Sequence, residues 1–291
     1  MGGGSWCEEK FRSYSVETKA CTLRDDGSLD TRDMSANQLY KAKRLNPALN
    51  PYSVIRECKD SEEHPNTLPV ILALDITGSM GQAAVEVAEQ LNVIMTELYK
   101  SVKDVEFMIM GVGDFSYDIS PLQVSQFESD IRIAEQLDKL YFEFGGGPNS
   151  WESYSAAWAF AAYQTDCDCW NRGKKGIIIT MGDEMLNPYI PGDAYERATG
   201  SRPVKANVNN RDLSTSDIFD DVKEKYNLYH IDVDHRSGNY GTKDWEEALG
   251  SDHVFSVPVK SIAQIITEII KREANCDEPV FVKNEEGYIS W

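Results

Sequence analysis

Basic residues are scarce in this chain. Its 291 residues hold 29 Lys and Arg against 48 Asp and Glu, a formal charge of −19. Such a surplus repels phosphate backbones, so no nucleic acid is expected as a partner and cations or basic surfaces are. Long apolar runs are missing too: no window approaches the roughly 18 to 20 apolar residues of a membrane span, and no membrane association is expected. The opening Met1-Gly2-Gly3-Gly4-Ser5-Trp6 lacks the basic-then-apolar layout of a signal peptide. It also places Trp6 where myristoylation needs Ser or Thr. Cysteines are few and scattered, at 7, 21, 58, 167, 169 and 276. Cys167-Asp168-Cys169 has one residue between its thiols, fewer than a zinc knuckle uses, and no second pair follows. A chain of this length needs no disulfide framework, so free, reduced thiols in a soluble cytoplasmic protein are expected.

Familiar catalytic sets are absent as well. The four histidines, 64, 230, 235 and 253, are dispersed, and no Ser-His-Asp or Cys-His arrangement is evident. His230, at an alternating strand position, reads as a packed core residue. Asp232, Asp234 and His235 near a strand end form a second polar group, for which solvated loop charge is the simpler reading. Gly145-Gly146-Gly147 do not have the Gly-x-Gly-x-x-Gly spacing of a dinucleotide loop.

What is present centres on residues 68–80. Val70–Leu74 is a near-continuous apolar run of the length expected for a strand buried on both faces. It ends in Asp75-Ile76-Thr77-Gly78-Ser79-Met80, after which Val85, Ala88, Leu91, Ile94 or Met95, and Leu98 recur at helical spacing. One carboxylate and two hydroxyls at alternate positions offer hard oxygen donors of the kind Mg²⁺ takes. The plain alternative is a helix start, capped by Ser79 or Thr77 and favoured by the Asp75 charge. Ile76 interrupts the Asp-Thr-Gly-Ser of an aspartic protease, and Thr77 stands where a haloacid-dehalogenase phosphatase has its second Asp.

Further buried strands are read at Val105–Gly113, Gly176–Met181, Leu228–Val233 and His253–Val257. Leu122–Phe127, by its alternation, reads as a half-exposed antiparallel edge. An amphipathic helix is expected at 130–140, a largely buried one rich in Ala and aromatics at Tyr154–Tyr163, further helices at Asp217–Tyr226 and Trp245–Leu249, and one with an isoleucine stripe behind a capping box of Ser261 and Gln264. Residues 185–215 read as a loop with one short helical piece near Ala194–Ala198. The alternation predicts an α/β fold with a doubly wound, mostly parallel six-stranded sheet in order 3-2-1-4-5-6. Helices on both faces and one antiparallel edge strand complete it. Strands one, two and four then end together in Asp75, Asp114 and Asp183, with the 145–153 loop beside them. Residues 1–67 are expected to be an arm or small lobe whose one helix, Ser35–Leu45, opens on a Ser35/Gln38 capping box. Residues 68–275 form the main domain and 276–291 a tail.

The Asp-x-Thr-x-Ser turn after a buried first strand resembles the metal-ion-dependent adhesion site of von Willebrand factor A domains, over roughly residues 66–275. The Asp-Ile-Thr-Gly-Ser-Met turn, Gly-Gly-Gly with Glu-Ser-Tyr, and Gly-Asp-Glu are together similar to a subgroup in bacteria and their phages. The resemblance implies Mg²⁺ or Mn²⁺ held by Asp75, Thr77 and Ser79, with Ser150 from the second loop, where Asn149 and Glu152 are rivals. It implies Asp183 from the third loop, displaced by two positions from the family's Thr-Asp-Gly, with Glu184 as the alternative. It also implies binding of a partner protein through an acidic group that completes the ion's coordination, and not catalysis. A metal-dependent hydrolase using Asp75 and Asp183 with a bound water, and a scaffold that has lost its metal, stay open beside it.

Overall fold

The computed structural model describes residues 4–143, 151–203, 212–233 and 240–274. The central sheet contains β1 (Leu68–Asp75), β2 (Val105–Val112), β3 (Leu122–Val124), β4 (Gly176–Gly182), β5 (Tyr226–Val233) and β6 (Val254–Val257). Their spatial order is β6-β5-β4-β1-β2-β3, parallel throughout except for β3, which is antiparallel to β2. Successive side chains of a strand point to opposite faces. Val70, Leu72 and Leu74 therefore join Phe107, Ile109, Ile177 and Ile179 in one core, and Ile71 and Ala73 join Met108, Met110 and Ile178 in the other. Both faces of β1 are covered, which is why its sequence is an unbroken apolar run.

Among the described residues the α-helices longer than four residues are α1 (Glu8–Lys19), α2 (Gly81–Leu98), α3 (Arg132–Leu137), α4 (Ser155–Tyr163), α5 (Gly192–Thr199), α6 (Thr215–Val222), α7 (Tyr240–Leu249) and α8 (Ile262–Glu273). Apolar residues of α2, α3 and α8, with Phe11 of α1, fill the first core. Those of α4 and α6, with Trp245 of α7, fill the second. Among the described residues no helix is long and apolar enough to cross a membrane.

The fold class expected from sequence, a doubly wound and mostly parallel sheet, is corrected. The molecule is mixed α/β: among the described residues its six-stranded sheet is of mixed orientation, and four two-stranded sheets accompany it. Thr22–Leu23 pairs with Leu29–Asp30 and Tyr189–Pro191 with Asp212–Ser214, both antiparallel. Arg56–Cys58 pairs with Thr165–Cys167 and Trp151–Glu152 with Met185–Leu186, both parallel. Segments of two or three residues are too short to carry a period-2 pattern, so only their pairing partners define them. The 185–215 stretch, expected to be loop with a short helical piece near Ala194–Ala198, holds that helix as α5 and three of these segments besides.

The N-terminal region differs in two further ways. Helix α1 has no apolar stripe to betray it, because the positions it buries are Phe11, Ser15 and Lys19. The Lys19 ammonium is buried against Asp138 at 2.7 Å. The Ser35/Gln38 capping box forms, but its helix stops at Leu39. Tyr40 turns extended there and buries its ring, giving its hydroxyl hydrogen to the Ala84 carbonyl at 2.7 Å. Tertiary burial overrides a local helical preference. The second expected capping box does not form: the Ser261 side chain makes no cap, and Gln264 bonds Glu268 instead.

Strand β3 is also more enclosed than its alternation suggests. Gln123 is buried, its amide donating to the Tyr141 carbonyl at 2.6 Å and accepting from the Tyr141 N–H at 3.0 Å. The chain around Tyr141 thus covers the face that alternation assigns to solvent.

Candidate functional site

β1 ends at Asp75, which is buried. Ile76 donates its N–H to the Val112 carbonyl, so the chain leaves the sheet only at Thr77. A single 3₁₀ turn, Gly78–Met80, then leads into α2. Asp75 Oδ1 accepts from the Thr77 N–H at 2.8 Å and from Thr77 Oγ1 at 2.6 Å. Its Oδ2 accepts from the Tyr154 hydroxyl at 2.9 Å. Across the site, Ser79 Oγ donates to Asp183 Oδ1 at 2.9 Å, while Asp183 Oδ2 is buried without a hydrogen-bond partner. Ser79 itself is exposed, so this end of the site opens to solvent.

Of the residues singled out in sequence, Asp75 sits with Thr77, and Ser79 meets Asp183. The Asp183 charge also acts on Asp75. Ser150 and Asn149 lie outside the described residues, as do Gly145–Gly147, Asp234, His235 and the 276–291 tail. Glu152 is 4% exposed and its Oε2 has no hydrogen-bond partner. It is drawn in because Trp151–Glu152 pairs with Met185–Leu186, tying the second loop to the chain that follows β4. The Glu184 carbonyl accepts from Trp245 Nε1 at 3.1 Å, which anchors the third loop to α7.

The electrostatics are those of crowded carboxylates. Burial, countered in part by the Thr77 and Tyr154 hydrogen bonds and reinforced by Asp183, raises the Asp75 pKa to about 7. Burial raises Glu152 to about 9, and the charges acting most on it, those of Asp75, Asp118, Asp114 and Glu184, are all negative. Asp114 caps its own turn, Oδ1 accepting from the Ser116 N–H at 2.7 Å. Asp118 Oδ2 accepts from the Asp114 N–H at 2.7 Å, and burial raises its pKa too.

Tyr154 is the residue that sequence reasoning passed over. Fully buried at the start of α4, it packs edge-on against Trp245 with ring centroids 5.3 Å apart. Trp245 in turn stacks on His230 at 3.6 Å. Thr180 Oγ1 donates to the Tyr229 carbonyl, so the His230 contact at 3.0 Å requires Nδ1 to carry the proton. His230 Nε2 is then a buried acceptor without a partner, and burial holds the ring's pKa well below its usual value. Gly182 makes room for Tyr154, since a Cβ at that position would overlap the Tyr154 hydroxyl. The Glu152-Ser153-Tyr154 run after the glycines was the available signal, but only the fold aims Tyr154 at Asp75.

Among the described residues no group of three or more His, Cys, Asp or Glu side chains is placed to hold a metal ion. A cation here would rest on the Asp75 and Asp183 carboxylates, the Thr77 and Ser79 hydroxyls, and water. That all-oxygen set suits a hard divalent ion, and the unpartnered Asp183 Oδ2 is an anionic oxygen free to face it.

No family model and no curated protein matches the chain. Solved structures resemble it at low identity. Two forms of the pilus adhesin SpaC from Lactobacillus rhamnosus GG align at 12% identity and a TM-score of 0.47, over 74% and 75% of this chain. Proximal thread matrix protein 1 from the mussel byssus aligns at 12% identity and a TM-score of 0.44, over 75% of this chain. The aligned chain spans 31% and 32% of the two adhesin structures and 49% of the matrix protein.

Proposed function

We propose that this chain is a protein-interaction module that works through a divalent cation, Mg²⁺ or Mn²⁺, held at Asp75, Thr77, Ser79 and Asp183. A carboxylate of the partner protein completes the ion's coordination. The observation that carries the reading is the Ser79–Asp183 contact, which joins residues 104 apart in sequence and leaves Asp183 Oδ2 without a partner. The raised Asp75 and Glu152 pKa values support it, because a cation would offset the repulsion and desolvation that produce them. Glu152 is the described second-loop residue with an uncommitted oxygen, and Ser150 enters this reading on sequence alone. The free thiols Cys7, Cys21, Cys58, Cys167 and Cys169 support a reducing, cytoplasmic setting.

Calorimetric titration with Mn²⁺ tests the ion site. One site is expected in the wild type and none in Asp75→Ala, with circular dichroism unchanged. Equal affinity in the two proteins overturns the assignment. Acetate, standing in for the partner's carboxylate, should displace a coordinated water and lower the water-proton relaxation rate of the Mn²⁺-loaded protein. An unchanged rate would overturn the carboxylate half of the reading.

A further inference from the structure

The opposite edge of the sheet, where β1, β2, β4 and β5 begin, contains a thiol cluster that the cation site does not use. Arg56–Cys58 lies parallel to Thr165–Cys167, with Cys58 directly paired with Cys167. Adjacent strands run about 4.8 Å apart and paired residues share a face, and disulfides span Cα separations of about 4.4 to 6.8 Å. The two thiols are in side-chain contact, and both residues are buried. Cys167 Sγ also lies 3.4 Å from the Tyr226 hydroxyl, which itself meets Thr165 Oγ1 at 2.8 Å. Cys58 contacts the carboxylate of Glu106, a residue of β2 that is 2% exposed.

We propose that Cys58 and Cys167 are a redox-active dithiol that closes to a disulfide with hydrogen peroxide as oxidant, pinning the N-terminal segment to the α/β domain. The Cys167 sulfur is the nucleophile, because hydrogen bonds from Cys58, and to a lesser degree from Tyr226 and Thr165, favour its thiolate and hold its pKa below the usual thiol value. Burial raises the Cys58 pKa, so Cys58 remains the thiol. The Cys167 thiolate attacks one peroxide oxygen, breaking the O–O bond to give a sulfenic acid and hydroxide. Cys58 passes its proton to the Glu106 carboxylate and attacks the Cys167 sulfur. The S–S bond forms, the S–O bond breaks, and the departing hydroxide takes the Glu106 proton as water. One thiolate, one thiol and one peroxide become one disulfide, one water and one hydroxide; sulfur is oxidised and peroxide reduced. Peroxide is small enough for a buried pair that excludes bulkier oxidants.

Oxidation also has a structural consequence. Arg56–Cys58 is held to the domain by a three-residue ladder, the Arg56 guanidinium on the Ala48 and Val124 carbonyls, and the Lys59 ion pairs with Asp166 and Asp168. A covalent link at Cys58 makes that attachment independent of salt and denaturant.

Non-reducing peptide mapping of the full chain after peroxide treatment tests the proposal. The expected product is a Cys58–Cys167 crosslink, with thiols titrated in denaturant falling by two per chain. In Cys58→Ser, dimedone added as the peroxide-treated chain is unfolded in denaturant should instead trap the Cys167 sulfenic acid. Glu106→Gln should slow crosslinking severalfold while leaving its product the same. A crosslink between Cys167 and Cys169, or dimedone labelling of wild type without any crosslink, would overturn the pairing.

Discussion

The two edges of the central sheet treat negative charge in opposite ways. Where the strands begin, the solvent-facing acids meet basic side chains, Asp166 and Asp168 meeting Lys59 at 2.7 and 3.2 Å and Asp60 meeting Arg172, while Glu106 alone among the acids named there is buried against Cys58. Where the strands end, the Asp75 and Asp183 carboxylates accept from the neutral groups of Thr77, Tyr154 and Ser79. A chain with a charge of −19 cannot neutralise every carboxylate with its own 29 basic residues. Where it leaves carboxylates crowded is therefore informative, and it leaves them at the carboxyl ends of the strands, where α/β sheets place ligands.

Removing a partner at a paired site should do the most damage. Lys19→Met strands the half-buried Asp138 without its ammonium, and a loss of about 3 kcal/mol is expected in urea denaturation. Next comes Gly182→Ala, which forces Tyr154 away from Asp75 and should cost about 2 kcal/mol as overpacking does. The same variant should lose Mn²⁺ binding in calorimetry. Retained binding would detach Tyr154 from the site.

The third test uses the opposite sign. Folded-state pKa values of about 7 for Asp75 and about 9 for Glu152 lie above those of the unfolded chain, so folding takes up protons. The corresponding stability is present below about pH 4 and is lost as pH rises, through about 7 for Asp75 and about 9 for Glu152. In EDTA the Tm should fall across this window, and Glu152→Gln should flatten the fall and raise the Tm at pH 8. Mg²⁺ should restore more stability at pH 8 than at pH 5. A Glu152→Gln variant less stable than wild type at pH 8 in EDTA would break the contrast between the edges.

A smaller effect is expected of Asp183→Asn, which should weaken Mn²⁺ binding about tenfold, or about 1.4 kcal/mol. Glu184→Gln should matter less. The reverse ranking would move the third-loop ligand to Glu184.

What the sequence determined by itself was local or periodic. Val70–Leu74 is legible as a strand because both of its faces are covered, so every residue in it must be apolar. The stripe on α2 is legible because one face of that helix packs on the sheet. The contact of Asp75 with Thr77 spans two residues, within reach of any reading of the turn. Tertiary structure decided the rest. Helix α1 hides because Ser15 and Lys19 occupy its buried stripe, and Lys19 is tolerable there only beside Asp138, far along the chain. The Tyr154 bond to Asp75, the Ser79 bond to Asp183 and the Cys58–Cys167 pairing join positions 79, 104 and 109 residues apart. No periodicity records such meetings. They exist because parallel strands separated by whole helices bring their ends to common edges, and the sheet, not the local sequence, chooses which side chains share one.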